Sequence, residues 1–249
     1  MNGQPILLAE DNPRDRDFLR EVLPDCEIRE AVDGETALAQ LAEWDSDARL
    51  DSDPWVVTDL QMPGVGGVDL ARQIWERHPA ARIVFWSQFS DEIYLRSIAR
   101  IIPPETVYGY VLKDNARENI ARAIQAVFEE CQCWIDPAVR PVQARLNRTD
   151  TSVTDAEYEV LLDIALGLTD NAIARRRFLS RRGVQSRLRS MYSKLEVDHL
   201  DGLPSPATET LNLRTRAVAV ALSRGLLNTH ELEKAEQELR RWLAQEDSE

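Results

Sequence analysis

The chain holds only three cysteines and three histidines in 249 residues. Cys26, Cys131 and Cys133 are an odd set without paired metal-ligand spacing, and the histidines are scattered. Neither a disulfide framework nor a zinc site is encoded, and the thiols read as structural or incidental. Long hydrophobic runs are also missing, since no apolar stretch approaches the roughly 20 residues that cross a bilayer. No basic leader or small-residue cleavage site precedes the first apolar run, so a soluble cytoplasmic protein is expected. Aromatic residues are sparse at 6%, yet 43% of the residues are hydrophobic, a globular composition with enough length for two packed cores.

Basic residues are outnumbered, and the net charge of −13 would argue against nucleic-acid binding if it were spread evenly. It is not. Residues 1–134 carry 25 acidic and 13 basic side chains, whereas 171–195 carry eight basic ones (Arg175, Arg176, Arg177, Arg181, Arg182, Arg187, Arg189, Lys194) and no acid. The local field there opposes that of the whole chain.

Through about residue 130, short apolar runs (ILLA at 6–9, WVVTD at 55–59, RIVFW at 82–86, YGYVL at 108–112) alternate with helical patterns at 15–23, 35–44, 68–77 and 118–130. That alternation predicts a doubly wound α/β domain with a parallel five-stranded sheet covered by helices on both faces. Residues 135–152 lose apolar periodicity and contain two prolines, which suits a linker after a domain at 1–134. Beyond residue 152 the pattern is helical, predicting a smaller all-α domain at 153–228. Thr154 with Glu157 makes a capping box, Thr169 and Ser180 are N-cap candidates, and Gly167 and Gly225 suit helix ends. A turn-rich stretch at 198–212 reads as a loop or insertion. In the tail, 229–249, Leu232, Ala235, Leu239, Trp242 and Leu243 fall at helical spacing, as in a packed terminal helix.

An open parallel sheet exposes the residues just past the carboxyl ends of its strands, and ligands bind in that crevice. Here the first strand ends in Glu10 and Asp11, the third in Asp59, the fourth in Ser87 and the fifth in Lys113. Three carboxylates converging on one point repel unless a hard cation sits between them, and Mg²⁺ with oxygen ligands fits that requirement. An isolated acidic pair is usually a solvated turn; five such groups, each at a strand end, are a far more specific pattern.

The stretches AEDN at 9–12, TDLQMPGVGG at 58–67, WSQ at 86–88 and GYVLKD at 109–114 resemble the receiver domain of two-component response regulators, a flavodoxin-like fold. The resemblance covers residues 5–130. It implies phosphorylation of Asp59 by a histidine kinase or a small phosphodonor, with Asp11 and Asp59 ligating Mg²⁺ and Glu10 acting mainly through bound water. It further implies that the Gln61 backbone carbonyl completes the metal site, that Ser87 and Lys113 hold the phosphoryl group, and that Tyr110 is the switch aromatic. Pro63 and the glycines at 64, 66 and 67 suit the tight turn after the phosphorylation strand. Three departures bear on activation: Gln88 stands where a small residue is usual, 45–54 is long and acidic, and IIPPETV at 101–107 replaces a short turn.

In the basic segment, Val184, Leu188, Met191 and Leu195 recur at helical intervals behind Ser180, with arginines on the opposite side. A preceding helix near 169–176 and a short turn at Phe178 and Leu179 complete a helix-turn-helix, whose second helix can enter the major groove. Residues 153–195 resemble the LuxR-type domain of the NarL/FixJ class of regulators. The resemblance makes Arg181, Arg182, Gln185 and Ser186 the expected base-edge readers, with Arg187, Arg189 and Lys194 gripping phosphates. Gly183, Gln185 and Arg187 depart from the family's usual residues, so a target sequence does not transfer. A fourth helix is expected at 213–227, through which family members commonly dimerise.

The sequence thus reads as a phosphorylation-gated transcription factor that binds double-stranded DNA as a homodimer and is not an enzyme. An aspartate-nucleophile phosphohydrolase would need a second carboxylate two residues after Asp59, where Gln61 stands. A signalling adaptor that works without phosphate, or whose C-terminal domain binds a protein, is the open alternative.

Overall fold

The computed structural model describes residues 4–46, 53–146, 148, 152–198 and 211–246. Residues 199–210 of the turn-rich stretch, and most of the acidic one at 45–54, lie outside these residues. The chain divides near residue 142 into two compact units.

The first unit alternates strands and helices: β1 (Ile6–Ala9), α1 (Pro13–Val22), β2 (Ile28–Ala31), α2 (Gly34–Ser46), β3 (Trp55–Thr58), α3 (Gly67–Arg77), β4 (Arg82–Ser87), α4 (Glu92–Ile101), β5 (Tyr108–Leu112) and α5 (Arg117–Phe128). All strands pair in parallel in the order β2-β1-β3-β4-β5, with a sixth, β6 (Trp134–Ile135), beyond β5. A parallel sheet covered on both faces needs strands apolar throughout, and β1 is buried at every position. On one face, Ile6, Leu8, Val57, Val84 and Val111 pack against Leu19, Ile120, Ile124 and Phe128 of α1 and α5.

Register positions the crevice. Ala9 pairs with Thr58, and Thr58 with Phe85, so Glu10 and Asp59 leave the sheet at the same level. Just beyond β3 the chain folds back tightly, with the Gly67 N–H donating to the Leu60 carbonyl at 3.0 Å. A Cβ at Gly67 would sit 1.9 Å from the Asp59 carbonyl oxygen, so only glycine permits this return.

The sheet therefore has six strands where five are expected, and the extra one lies at the border of the stretch read as linker. Gly109 pairs with Trp134 and Tyr110 with Ile135. The next residue, buried Asp136, accepts from the Asn115 side chain at 2.6 Å and from the Leu112 N–H at 3.4 Å. A two-residue strand is too short to show periodicity, but this one anchors the loop that carries Lys113. Helix α6 (Arg140–Leu146) comes next, again inside the expected linker.

The second unit contains α7 (Asp155–Ala165), α8 (Asp170–Arg176), α9 (Arg181–Lys194), α10 (Leu213–Ser223) and α11 (Thr229–Glu246). The expected caps form: Thr154 and Glu157 close a reciprocal capping box, the Thr169 side chain accepts from the Ala172 N–H, and Ser180 accepts from the Gly183 N–H. Gly183 is thus in the first turn of α9, where its N–H serves the cap. Its core joins Val160, Leu161 and Ile164 of α7 to Ile173, to Val184, Leu188 and Met191 of α9, and to Ala217 and Ala221 of α10. Helix α11 contacts α7 and buries Ala235 and Leu239, with Leu232 packed against the core, while Leu243 stays 46% exposed.

Candidate functional site

At the carboxyl edge of the sheet, Glu10 is fully buried, Asp59 is 7% exposed, and Asp11 faces solvent. One carboxylate oxygen from each lies within 4.8 Å of the others. Lys113 enters from β5: its Nζ donates to Glu10 Oε2 at 2.7 Å, Asp15 Oδ2 at 2.8 Å and Asp59 Oδ2 at 3.1 Å. One ammonium thus faces several carboxylates. Burial pushes the Glu10 carboxyl up to about 7 despite the lowering pull of Lys113, and burial also raises Asp59 against the Lys113 charge and the Leu60 and Gln61 N–H donors. Burial alone would lower Lys113, but its bonds to Asp15 and Glu10 and the charge of Asp59 more than offset that and hold it protonated. Hard oxygen donors that gather unneutralised negative charge fit a divalent cation such as Mg²⁺.

Several neighbours that spacing did not reveal shape the site. Arg16 of α1 donates to the Glu10 carbonyl at 2.6 Å and the Asp11 carbonyl at 3.0 Å, fixing the strand end. Asp15 is a fourth carboxylate at the site and one of the three that bond Lys113. In the first turn of a helix, an acidic residue ordinarily reads as a complement to the helix dipole, so its role is invisible in sequence. The Lys113 Nζ lies 4.8 Å from the centroid of the Trp86 ring, which stacks on Phe18 at 5.9 Å. The Gln61 side chain donates to the Tyr94 hydroxyl of α4.

Ser87 and Tyr110 are both buried and meet at one residue. The Phe89 N–H donates to Ser87 Oγ at 3.1 Å, and the Tyr110 hydroxyl donates to the Phe89 carbonyl at 2.7 Å. Gln88, between them, is exposed.

In the second unit, Arg181, Arg182, Gln185, Ser186 and Arg189 are exposed along α9 and Arg187 is partly so. Lys194, expected to grip phosphate, is paired within the domain: its ammonium bonds Glu157 Oε2 at 2.7 Å while Ser190 donates to the other oxygen at 2.6 Å, which ties α9 to the start of α7. Nor are all the cations unopposed. Arg176 Nη1 and Arg177 Nε each reach the fully buried Asp163 carboxylate at 2.8 Å. Burial raises the Glu157 carboxyl, but bonds from Lys194, Ser190 and Thr154 outweigh it and leave the group lowered.

Among the described residues no helix is long and apolar enough to cross a membrane. Residues 6–125 match the response regulator receiver domain, and 151–203 match the bacterial regulatory proteins of the luxR family. The nitrate/nitrite response regulator protein NarL of Escherichia coli K12 is 31% identical over 212 residues, covering 79% of this chain and 92% of that protein. The transcriptional activator protein ExaE of Pseudomonas putida is 28% identical over 85% of this chain and 99% of its own length. Among solved structures, RcsB of Salmonella enterica serovar Typhimurium, bound to a promoter with the phosphomimetic BeF3⁻, aligns with a TM-score of 0.58 at 21% identity. That alignment covers 88% of this chain and all of RcsB, and supports the fold. With both halves matched in order and a relative at this identity over nearly its whole length, the chain belongs to the NarL-type response regulators, transcriptional regulators that join a receiver domain to a LuxR-type DNA-binding domain.

Proposed function

We propose that Asp59 is the phosphoacceptor, supplied by a histidine kinase in the cytoplasm, and that its phosphorylation raises the affinity of the LuxR-type domain for DNA. The observation that carries this reading is the meeting of Glu10, Asp11, Asp59 and Lys113 at one sheet edge. Mg²⁺, when bound, offsets the charge that builds up in phosphoryl transfer. Asp11 and Asp59 would hold it directly, with Glu10 acting through water and the Gln61 carbonyl as a further oxygen donor. Asp59 attacks as a carboxylate nucleophile; its Oδ1 accepts from the Leu60 N–H and its Oδ2 from Lys113, so Lys113 must loosen its hold for a phosphoryl group to reach Oδ2.

Lys113 then exchanges a carboxylate partner for a phosphoryl oxygen. A turn of the Ser87 side chain toward that group, to donate its hydroxyl, would loosen its contact with the Phe89 N–H. Since Tyr110 bonds the carbonyl of the same residue, the two groups move together, and Tyr110 reports the state of the site. On DNA, Arg181, Arg182, Gln185 and Ser186 read base edges while Arg187 and Arg189 meet phosphates. Phosphorylation favours a homodimer through α10, whose Leu222 is 46% exposed, and pairing two half-sites adds affinity without new base contacts. Size and DNA affinity measured with and without beryllofluoride test the reading: both should rise in the wild type and neither in Asp59→Asn. Equal stimulation of the two proteins would refute it.

A further inference from the structure

The turn between α8 and α9 carries an aromatic residue in a place that suits it badly. Helix α8 ends at the cap Arg177, after which the Leu179 N–H bonds the Ala174 carbonyl at 2.8 Å and the Phe178 N–H bonds the Arg175 carbonyl at 3.2 Å. This is the doubly bonded helix end at which the residue after the cap adopts left-handed backbone, usually as glycine. Here that residue is Phe178, with φ at 53°. Its side chain is also 96% exposed, whereas the other large exposed apolar side chains among the described residues, Val32, Leu222 and Leu243, stand at 46–51%. The other non-glycine residues described with positive φ are Glu105, Cys131 and Glu196, none of them aromatic. Backbone preference and the hydrophobic effect both oppose Phe178 in the free protein.

The surroundings indicate what covers it. Phe178 lies three residues before Arg181, the first residue of α9, and no acidic residue occurs between 171 and 195. Arg181 and Arg182 are exposed beside it, and the first-turn N–H groups of a helix add partial positive charge. A duplex backbone matches this combination, because it alternates anionic phosphates with the apolar C–H faces of deoxyribose. A protein partner would have to supply an apolar socket ringed by carboxylates.

Resting on the DNA-binding role of this domain, we propose that Phe178 is a DNA-contact residue that packs against backbone deoxyribose where α9 enters the major groove. The contact is sequence-independent and uncharged. It adds affinity on every duplex and leaves the salt dependence to the arginines.

The test uses the full chain with beryllofluoride and a fluorescein-labelled mixed-sequence duplex, followed by anisotropy over a salt series. Phe178→Gly should bind about tenfold more weakly, as expected for exposing roughly half an aromatic side chain, with an unchanged slope of log K against log salt. Because glycine suits this φ, its melting temperature should equal or exceed that of the wild type, which separates lost contact from lost fold. Phe178→Tyr should retain affinity, and the emission of Phe178→Trp should change on saturation with duplex. Wild-type affinity in Phe178→Gly, or unaltered emission from Phe178→Trp at saturation, overturns the contact while leaving DNA binding intact. Failure of the wild type to bind any duplex would instead remove DNA binding itself, and the contact with it.

Discussion

Proton and metal should compete at the receiver site, and Glu10 sets the range. Its carboxyl is fully buried and pushed up to about 7 in the metal-free protein. A carboxyl raised above its ordinary 4.5 contributes stability in its neutral form; that contribution is present below 4.5 and is lost as pH rises through about 7. A divalent cation supplies the missing positive charge, so it binds the ionised form and expels the proton. At pH 8 roughly a tenth of Glu10 is protonated and at pH 6 roughly nine-tenths, so the apparent Kd for Mg²⁺ should weaken about tenfold across that interval. Stabilisation by a fixed Mg²⁺ concentration should grow with pH over the same range. Trp86 gives the optical signal because its ring lies beside Lys113, which must adjust as the carboxylates take up a cation. Mg²⁺ titrations of the wild type, corrected by Trp86→Phe, measure it. A Kd constant within twofold from pH 8 to 6 would refute the claim that a buried, proton-loaded Glu10 controls metal uptake.

The helical unit offers two sharper tests of stability. Asp163→Ala leaves Arg176 and Arg177 without their buried carboxylate, and should cost about 3–5 kcal/mol in urea unfolding followed by Trp242; a loss under about 1 kcal/mol would show that the triad is dispensable. Lys194→Ala should likewise weaken the fold while leaving the salt slope of DNA binding unchanged, since its ammonium serves Glu157. Glu157 has a lowered pKa, so its stabilisation is present above 4.5 and disappears as pH falls through the lower folded value. Glu157→Gln should therefore flatten the acid limb of the stability profile.

How far apart the interacting residues lie decides which of these features are legible in the sequence. Glu10, Asp59, Ser87 and Lys113 are legible because a parallel sheet delivers every strand end to one edge, whatever the intervening helices do. Two-residue β6 and the Lys113 bond to Asp15 are not, because neither leaves a periodic trace. The cationic helix is the instructive case. Counting charge along 171–195 sees eight cations without an acid, but the partners of Arg176, Arg177 and Lys194 lie 13, 14 and 37 residues earlier, on α7. Folding commits these three to Asp163 and Glu157, which leaves at most five for phosphate. Counterion release scales with the phosphates actually neutralised, so each protomer should give a salt slope of about −4.5 or shallower, against about −7 for all eight. A measured slope near the steeper value would mean that DNA draws Arg176, Arg177 and Lys194 away from their carboxylates. In that event the ion pairs are a resting arrangement of the domain rather than its frame.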